Sequence, residues 1–75
     1  MVERVINVLK NFTAMPQENI NADSMLIADL GMDSLKMIEA VVAVEKEFNV
    51  HISDKKLFGM RTVNDVAKVI EELQN

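Results

Sequence analysis

Cysteine is absent from this 75-residue chain, and so are tryptophan and tyrosine. Without thiols, neither a disulfide nor a thiolate metal site can brace the fold. His51 is the sole histidine, which leaves little material for a zinc cluster or a histidine-based triad. The longest unbroken apolar run, residues 40–44, falls far short of the roughly 20 residues a membrane span needs, so no membrane insertion is expected. Basic residues are also scarce: 8 Lys and Arg stand against 12 Asp and Glu, a net charge of −4. That sign repels a phosphate backbone, excluding nucleic acid, and favours partners with basic patches. A start of Met1-Val2-Glu3-Arg4 lacks the layout of a secretory signal, so the expected compartment is the cytoplasm.

Punctuation is equally thin, with one proline (Pro16) and two glycines (Gly31, Gly59). The length suits a single domain over residues 1–75, expected to be a monomer, and leaves little core from which to carve a catalytic cleft. What is present is helical periodicity. Val2, Val5, Ile6, Leu9 and Phe12 form one stripe on a helix that must stop before Pro16. Residues 15–33 form a long polar connection, expected to hold a short helical turn and to be tacked onto the core by Leu26, Ile27 and Leu30. Asp23-Ser24 reads as a turn cap within it.

A second helix is predicted from Ser34 to Phe48, with Asp33 as N-cap. Its apolar face, Leu35, Ile38, Val41, Val42, Val44 and Phe48, is wide enough to touch more than one neighbour. Residues 53–58 open on Ser53-Asp54 and should make one short helix closed by Gly59. The last helix is expected to start at Thr62, where Thr62-Val63-Asn64-Asp65 resembles a capping box with Asp in place of Glu. Val63, Val66, Ala67, Ile70 and Leu73 supply its stripe. The fold class is therefore all-α: a small four-helix bundle with three longer helices and a short one between the second and last.

The chemistry centres on Asp29-Leu30-Gly31-Met32-Asp33-Ser34-Leu35. Gly31 permits a sharp turn, and Ser34 falls at the start of a helix, where free N–H groups and the helix dipole favour a phosphate. No histidine lies close in sequence to activate Ser34 as a nucleophile. A calcium loop fails on this stretch, since Ser34 replaces the required glycine and Ala40 the closing glutamate. Position alone leaves two readings open, a simple capping serine or an attachment point.

The same stretch resembles the attachment motif of acyl carrier proteins, and the likeness continues through Glu39, Glu45, Glu47, Phe48, Ile52, Asp54 and Thr62-Val63. The resemblance implies a four-helix carrier with no catalytic residue. Ser34 would bear 4′-phosphopantetheine taken from coenzyme A by a phosphopantetheinyl transferase, with Asp33 beside it. Acyl groups would then travel as thioesters among enzymes of fatty acid or polyketide synthesis. It further implies partner docking through Asp33, Leu35, Glu39, Glu45 and Glu47, and an acyl pocket lined by Val44, Ile52, Leu57, Met60 and Val66. Lys36, Lys46, His51, Lys55 and Lys56 depart from the usual acidic pattern, the lysines either as surface pairs or as a change of partner choice. A peptidyl or D-alanyl carrier shares the arm, and an unmodified helical adaptor is the rival from another class. His51 is expected near the end of the second helix, facing solvent or the helix terminus.

Overall fold

The computed structural model describes residues 1–74; Asn75, the last residue of the expected domain, lies outside them. The chain runs α1 (Val2–Leu9), α2 (Ser34–Phe48), α3 (Asp54–Gly59) and α4 (Val63–Gln74), with 3₁₀ turns at Lys10–Phe12 and Gln17–Asn19. No β-strand occurs among the described residues. The expected four-helix bundle is what forms.

Local chemistry explains each boundary. The α1 stripe tightens into a 3₁₀ turn at Lys10, and Thr13 is already extended, three residues before Pro16 would have stopped it. The Asp33 carboxylate caps α2 by accepting the Lys36 N–H at 2.9 Å. Asn49 ends α2 in the left-handed region at φ 54°, a conformation asparagine tolerates better than most residues. Ser53 caps α3 through the Lys56 N–H at 3.3 Å. Thr62 is the residue before α4, and the capping box closes as expected: the Asp65 N–H donates to Thr62 Oγ1 at 3.1 Å, while Asp65 Oδ2 accepts from Thr62 N–H.

α1 packs against both α2 and α4, and the core joins their inner faces: Val5, Ile6 and Leu9, then Ala40, Val44 and Phe48, then Val63, Val66, Ala67 and Ile70. Each buried aliphatic of this size contributes roughly 1.5–3 kcal/mol. α3 buries no residue. The long connection is stitched to the α3–α4 junction by backbone bonds, Leu26 N–H to Arg61 O at 2.8 Å and Val63 N–H to Ser24 O at 3.0 Å. Leu26 and Leu30 anchor it in the core as expected. Ile27 does not: it is 69 % exposed, and Met32, at 1 %, takes the buried place instead. The connection curls into a helical turn here, with Leu30 and Gly31 N–H groups bonded back to Met25 and Ile27. Successive residues therefore face different ways, and Ile27 falls on the outer side.

The wide α2 face is also only half used. Ala40, Val44 and Phe48 are buried, whereas Leu35, Ile38 and Val42 remain exposed, because light packing by α3 leaves them uncovered.

Asp65 gives this fold a pH signature. Hydrogen bonds from the Arg61 N–H, and then from the Thr62 N–H, hold its carboxyl below the ordinary value of 3.8. A depressed carboxylate stabilises the folded state above its unfolded pKa and loses that contribution as pH falls through the folded pKa. Asp65→Asn is therefore expected to lower the thermal midpoint at pH 7, with the gap from wild type narrowing as pH falls below the ordinary carboxylate value of 3.8. The gap is small because the carboxylate is half-exposed and screened. Parallel melting curves with a constant gap across this range would show that the charge plays no part.

Candidate functional site

The chain carries five hydroxyl side chains, and four are committed to structure. Thr13 donates to the Leu30 carbonyl at 2.7 Å. Ser24 is buried and accepts the Asn21 N–H at 2.9 Å. Ser53 and Thr62 accept the capping bonds of α3 and α4. Ser34 alone among the described residues has an exposed hydroxyl with no protein partner. It is not a cap. Asp33 performs that task, so the serine sits one residue inside the helix with its oxygen turned to solvent.

The surroundings favour an anion there. Asp33 satisfies the Lys36 N–H with its side chain and the Met37 N–H with its carbonyl at 2.9 Å. The Ser34 and Leu35 N–H groups are left without a protein acceptor among the described residues, at the positive end of a 15-residue helix. The approach to the serine is fixed by Gly31 at φ +69°, where a side chain would be strained. Asp29 steadies the same loop, its Oδ2 accepting the Met25 N–H at 2.7 Å. No imidazole or amine is bonded to Ser34, so the geometry presents a hydroxyl without activating it.

Beside Ser34 runs an open groove of about 800 Å³ between α2 and α3. Ile27, Ile38, Val42, Leu57 and Phe58 form its sides, and Asp33, Glu45 and His51 its polar rim. Next to it lies a narrow apolar pocket of only about 10 Å³. Met32, Met37, Val41, Ile52 and Met60 line both spaces, forming the wall between them.

Of the residues expected to form an acyl pocket, Val44, Ile52, Met60 and Val66 meet around the narrow pocket. Leu57 does not join them; it is half-buried and faces the outer groove, because α3 lies over the surface and not within the core. A pocket this size holds no more than about one water-sized sphere.

The five docking candidates do not share a face. Asp33 and Glu45 border the Ser34 groove, and Leu35 is 64 % exposed nearby. Glu39 is exposed and pairs with Lys36 at 3.7 Å. Glu47 borders a separate depression with Arg4 and Phe12 on the α1 side, since two residues along a helix turn the side chain roughly 200° from Glu45. Glu45 is also spent locally. Its Oε2 accepts the Ile52 N–H at 2.8 Å and lies 3.3 Å from His51 Nδ1. This lock across the α2–α3 turn escapes sequence reading because its partners are seven residues apart and one is backbone. His51 itself faces solvent at the end of α2, as expected. Met32 and Ile27 were the other residues that periodicity missed at the site, and an apolar residue wedged between Gly31 and Asp33 was the available signal for Met32.

As a class, this is a small helical domain that presents one free hydroxyl at a helix N-terminus beside an apolar groove. Residues 3–70 match the family model described as the phosphopantetheine attachment site. The chain is also 37 % identical over 65 residues to the acyl carrier protein of Coprothermobacter proteolyticus, an alignment covering 87 % of this chain and 79 % of that one. The chain belongs to the phosphopantetheine-binding acyl carrier protein family, whose prosthetic group is 4′-phosphopantetheine. The residues present fit that group: a hydroxyl free to become a phosphodiester oxygen, unpaired N–H groups facing a phosphate, and an apolar groove beside it. No helix among the described residues is long and apolar enough to cross a membrane.

Proposed function

We propose that this chain carries acyl groups as thioesters on a 4′-phosphopantetheine arm joined to Ser34 Oγ. It delivers them to separate enzymes of fatty acid synthesis or of a specialised acyl or polyketide pathway in the cytoplasm. The observation that carries this reading is the uncommitted, exposed hydroxyl of Ser34 at the N-terminus of α2. When bound, the arm supplies the thiol that this cysteine-free chain lacks. The chain's own residues hold and orient: Asp33 keeps the first turn of α2 in register, and the Ser34 and Leu35 N–H groups stabilise the phosphate charge.

In this reading the domain is a substrate of a phosphopantetheinyl transferase and then of acyl-transfer enzymes, and catalyses nothing itself. Docking involves Asp33, Leu35 and Glu39 on the Ser34 side, with Glu45 shaping the α2–α3 turn and Glu47 available to a partner that reaches around α2. Cargo rests first in the outer groove, and entry to the space around Val44, Ile52, Met60 and Val66 requires the methionine-rich wall to part. Two of the three flexible thioethers in that wall, Met37 and Met60, make such repacking inexpensive. The test is intact mass after incubation with coenzyme A and a broad-specificity phosphopantetheinyl transferase. A gain of one 4′-phosphopantetheine, mapped to the peptide holding Ser34, is the expected result; an unchanged mass sinks the proposal.

A further inference from the structure

The groove beside Ser34 is far larger than the pocket next to it, about 800 Å³ against about 10 Å³. A volume of the first order suits a small organic guest, whereas the second admits none. Ile27, Ile38, Val42, Leu57 and Phe58 line the groove and not the pocket. All of them except Leu57 are exposed. Ser34 is itself part of this lining, so a group tethered to it meets the surface intramolecularly, at high effective concentration. The tether identifies the occupant: the acyl chain carried by the same molecule.

The charges of the groove decide which chains suit it. Asp33, Glu45 and Asp54 line it, and among the described residues no lysine or arginine does. The lysines nearest in sequence are engaged elsewhere, Lys36 with Glu39 at 3.7 Å and Lys56 with Glu72 at 2.8 Å. His51 stands at the same rim and faces a carboxylate, its Nδ1 lying 3.3 Å from Glu45 Oε2. A cargo that ends in a carboxylate would give up water to the apolar walls and meet like charge at the rim. An ammonium end would give up the same water but meet opposite charge. An uncharged chain does neither, and gains the apolar contact outright.

We propose that the α2–α3 groove is the resting site of the acyl group, and that it selects uncharged chains over those ending in a carboxylate. The chain lies against Ile38, Val42 and Phe58, outside the space around Val44 and Val66. Half-acid acyl groups on the same arm stay in solvent. The inference rests on the reading of Ser34 given above, since only a cargo tethered there reaches the groove without a separate binding step.

The test loads the chain with a broad-specificity phosphopantetheinyl transferase from coenzyme A and from its octanoyl, ω-aminooctanoyl and equally long ω-carboxyacyl thioesters. Intact mass verifies each product, and its thermal midpoint is compared with that of the protein bearing the bare arm. Octanoyl should raise the midpoint by about 4 °C or more, because a guest held only by the folded state stabilises it. The ω-carboxyacyl cargo should move it by less than about 1 °C, with the ω-amino cargo between the two. NMR signals of Ile38, Val42 and Phe58 should shift with octanoyl, and those of Val44 and Val66 hardly at all. Asp54→Asn should narrow the gap between the two charged cargoes. Equal midpoints for those cargoes, or a gap that Asp54→Asn leaves unchanged, overturns the charge selection. No rise with octanoyl, or shifts centred on Val44 and Val66, overturns the groove as resting site. All of these results leave the carrier reading intact. No mass gain from any donor, coenzyme A included, removes both.

Discussion

Ser34→Ala is expected to abolish loading by 4′-phosphopantetheine completely, while Ser24→Ala and Ser53→Ala still gain the full mass. The three serines of the chain are separated by what each oxygen already does. Ser24 is buried and holds the Asn21 N–H, so a transferase cannot reach it without unfolding the connection. Ser53 is exposed but caps a helix of six residues, with Asp54 immediately after it; a phosphodiester there would break the cap and face a like charge. Ser34 gives up nothing on modification, because Asp33 already caps α2. For the same reason Ser34→Ala should melt within a few degrees of wild type, alanine being the best helix former at that position. Loss of loading with unchanged folding is the combination that separates an attachment serine from a structural one. Loading that persists in Ser34→Ala would place the arm elsewhere.

Much of this was readable from residue order. The bounds of α2 were legible because Asp33 is a strong N-cap and the apolar period holds until Phe48. The capping box of α4 was legible for the same local reason. What escaped depends on contacts between distant segments. Nothing in the order Leu26-Ile27-Leu30-Met32 says which residue turns inward; that follows from the coil of the loop and its bonds to Arg61 and Val63. The breadth of the α2 face rightly suggested more than one neighbour, but not how far each covers it, since periodicity reports that a side chain is apolar, not that another element buries it. Glu45 looked like a free acidic group until its bond with the Ile52 N–H gave it a place in the turn. Ser34 lay between these cases. Its position at a helix start was local and legible, whereas its freedom from any partner emerges only when all five hydroxyls are placed.

Met32→Ala is expected to remove a large part of the domain's stability and to disturb the site along with it. Met32 is among the largest fully buried side chains and lies two residues from Ser34. Its N–H is bonded to the Leu26 carbonyl at 3.1 Å, and its side chain forms part of the wall between groove and pocket. Truncating a buried methionine costs about 2–5 kcal/mol. A domain of this length has only about 4–11 kcal/mol in total, so the loss is a substantial share of it. In a chain of this size the thermal midpoint should fall by at least about 8 °C. Met32→Leu, which nearly conserves volume, should cost less than about 1.5 kcal/mol. Denaturant unfolding of the three proteins measures the costs, and loading at a temperature where all remain folded measures the site. Met32 pins the loop on which Gly31 and Asp33 set the start of α2, so folded Met32→Ala should load more slowly than Met32→Leu. A Met32→Ala midpoint within about 3 °C of wild type would mean that the residue does not hold the wall, and that the segment before Ser34 is fixed by its backbone bonds alone.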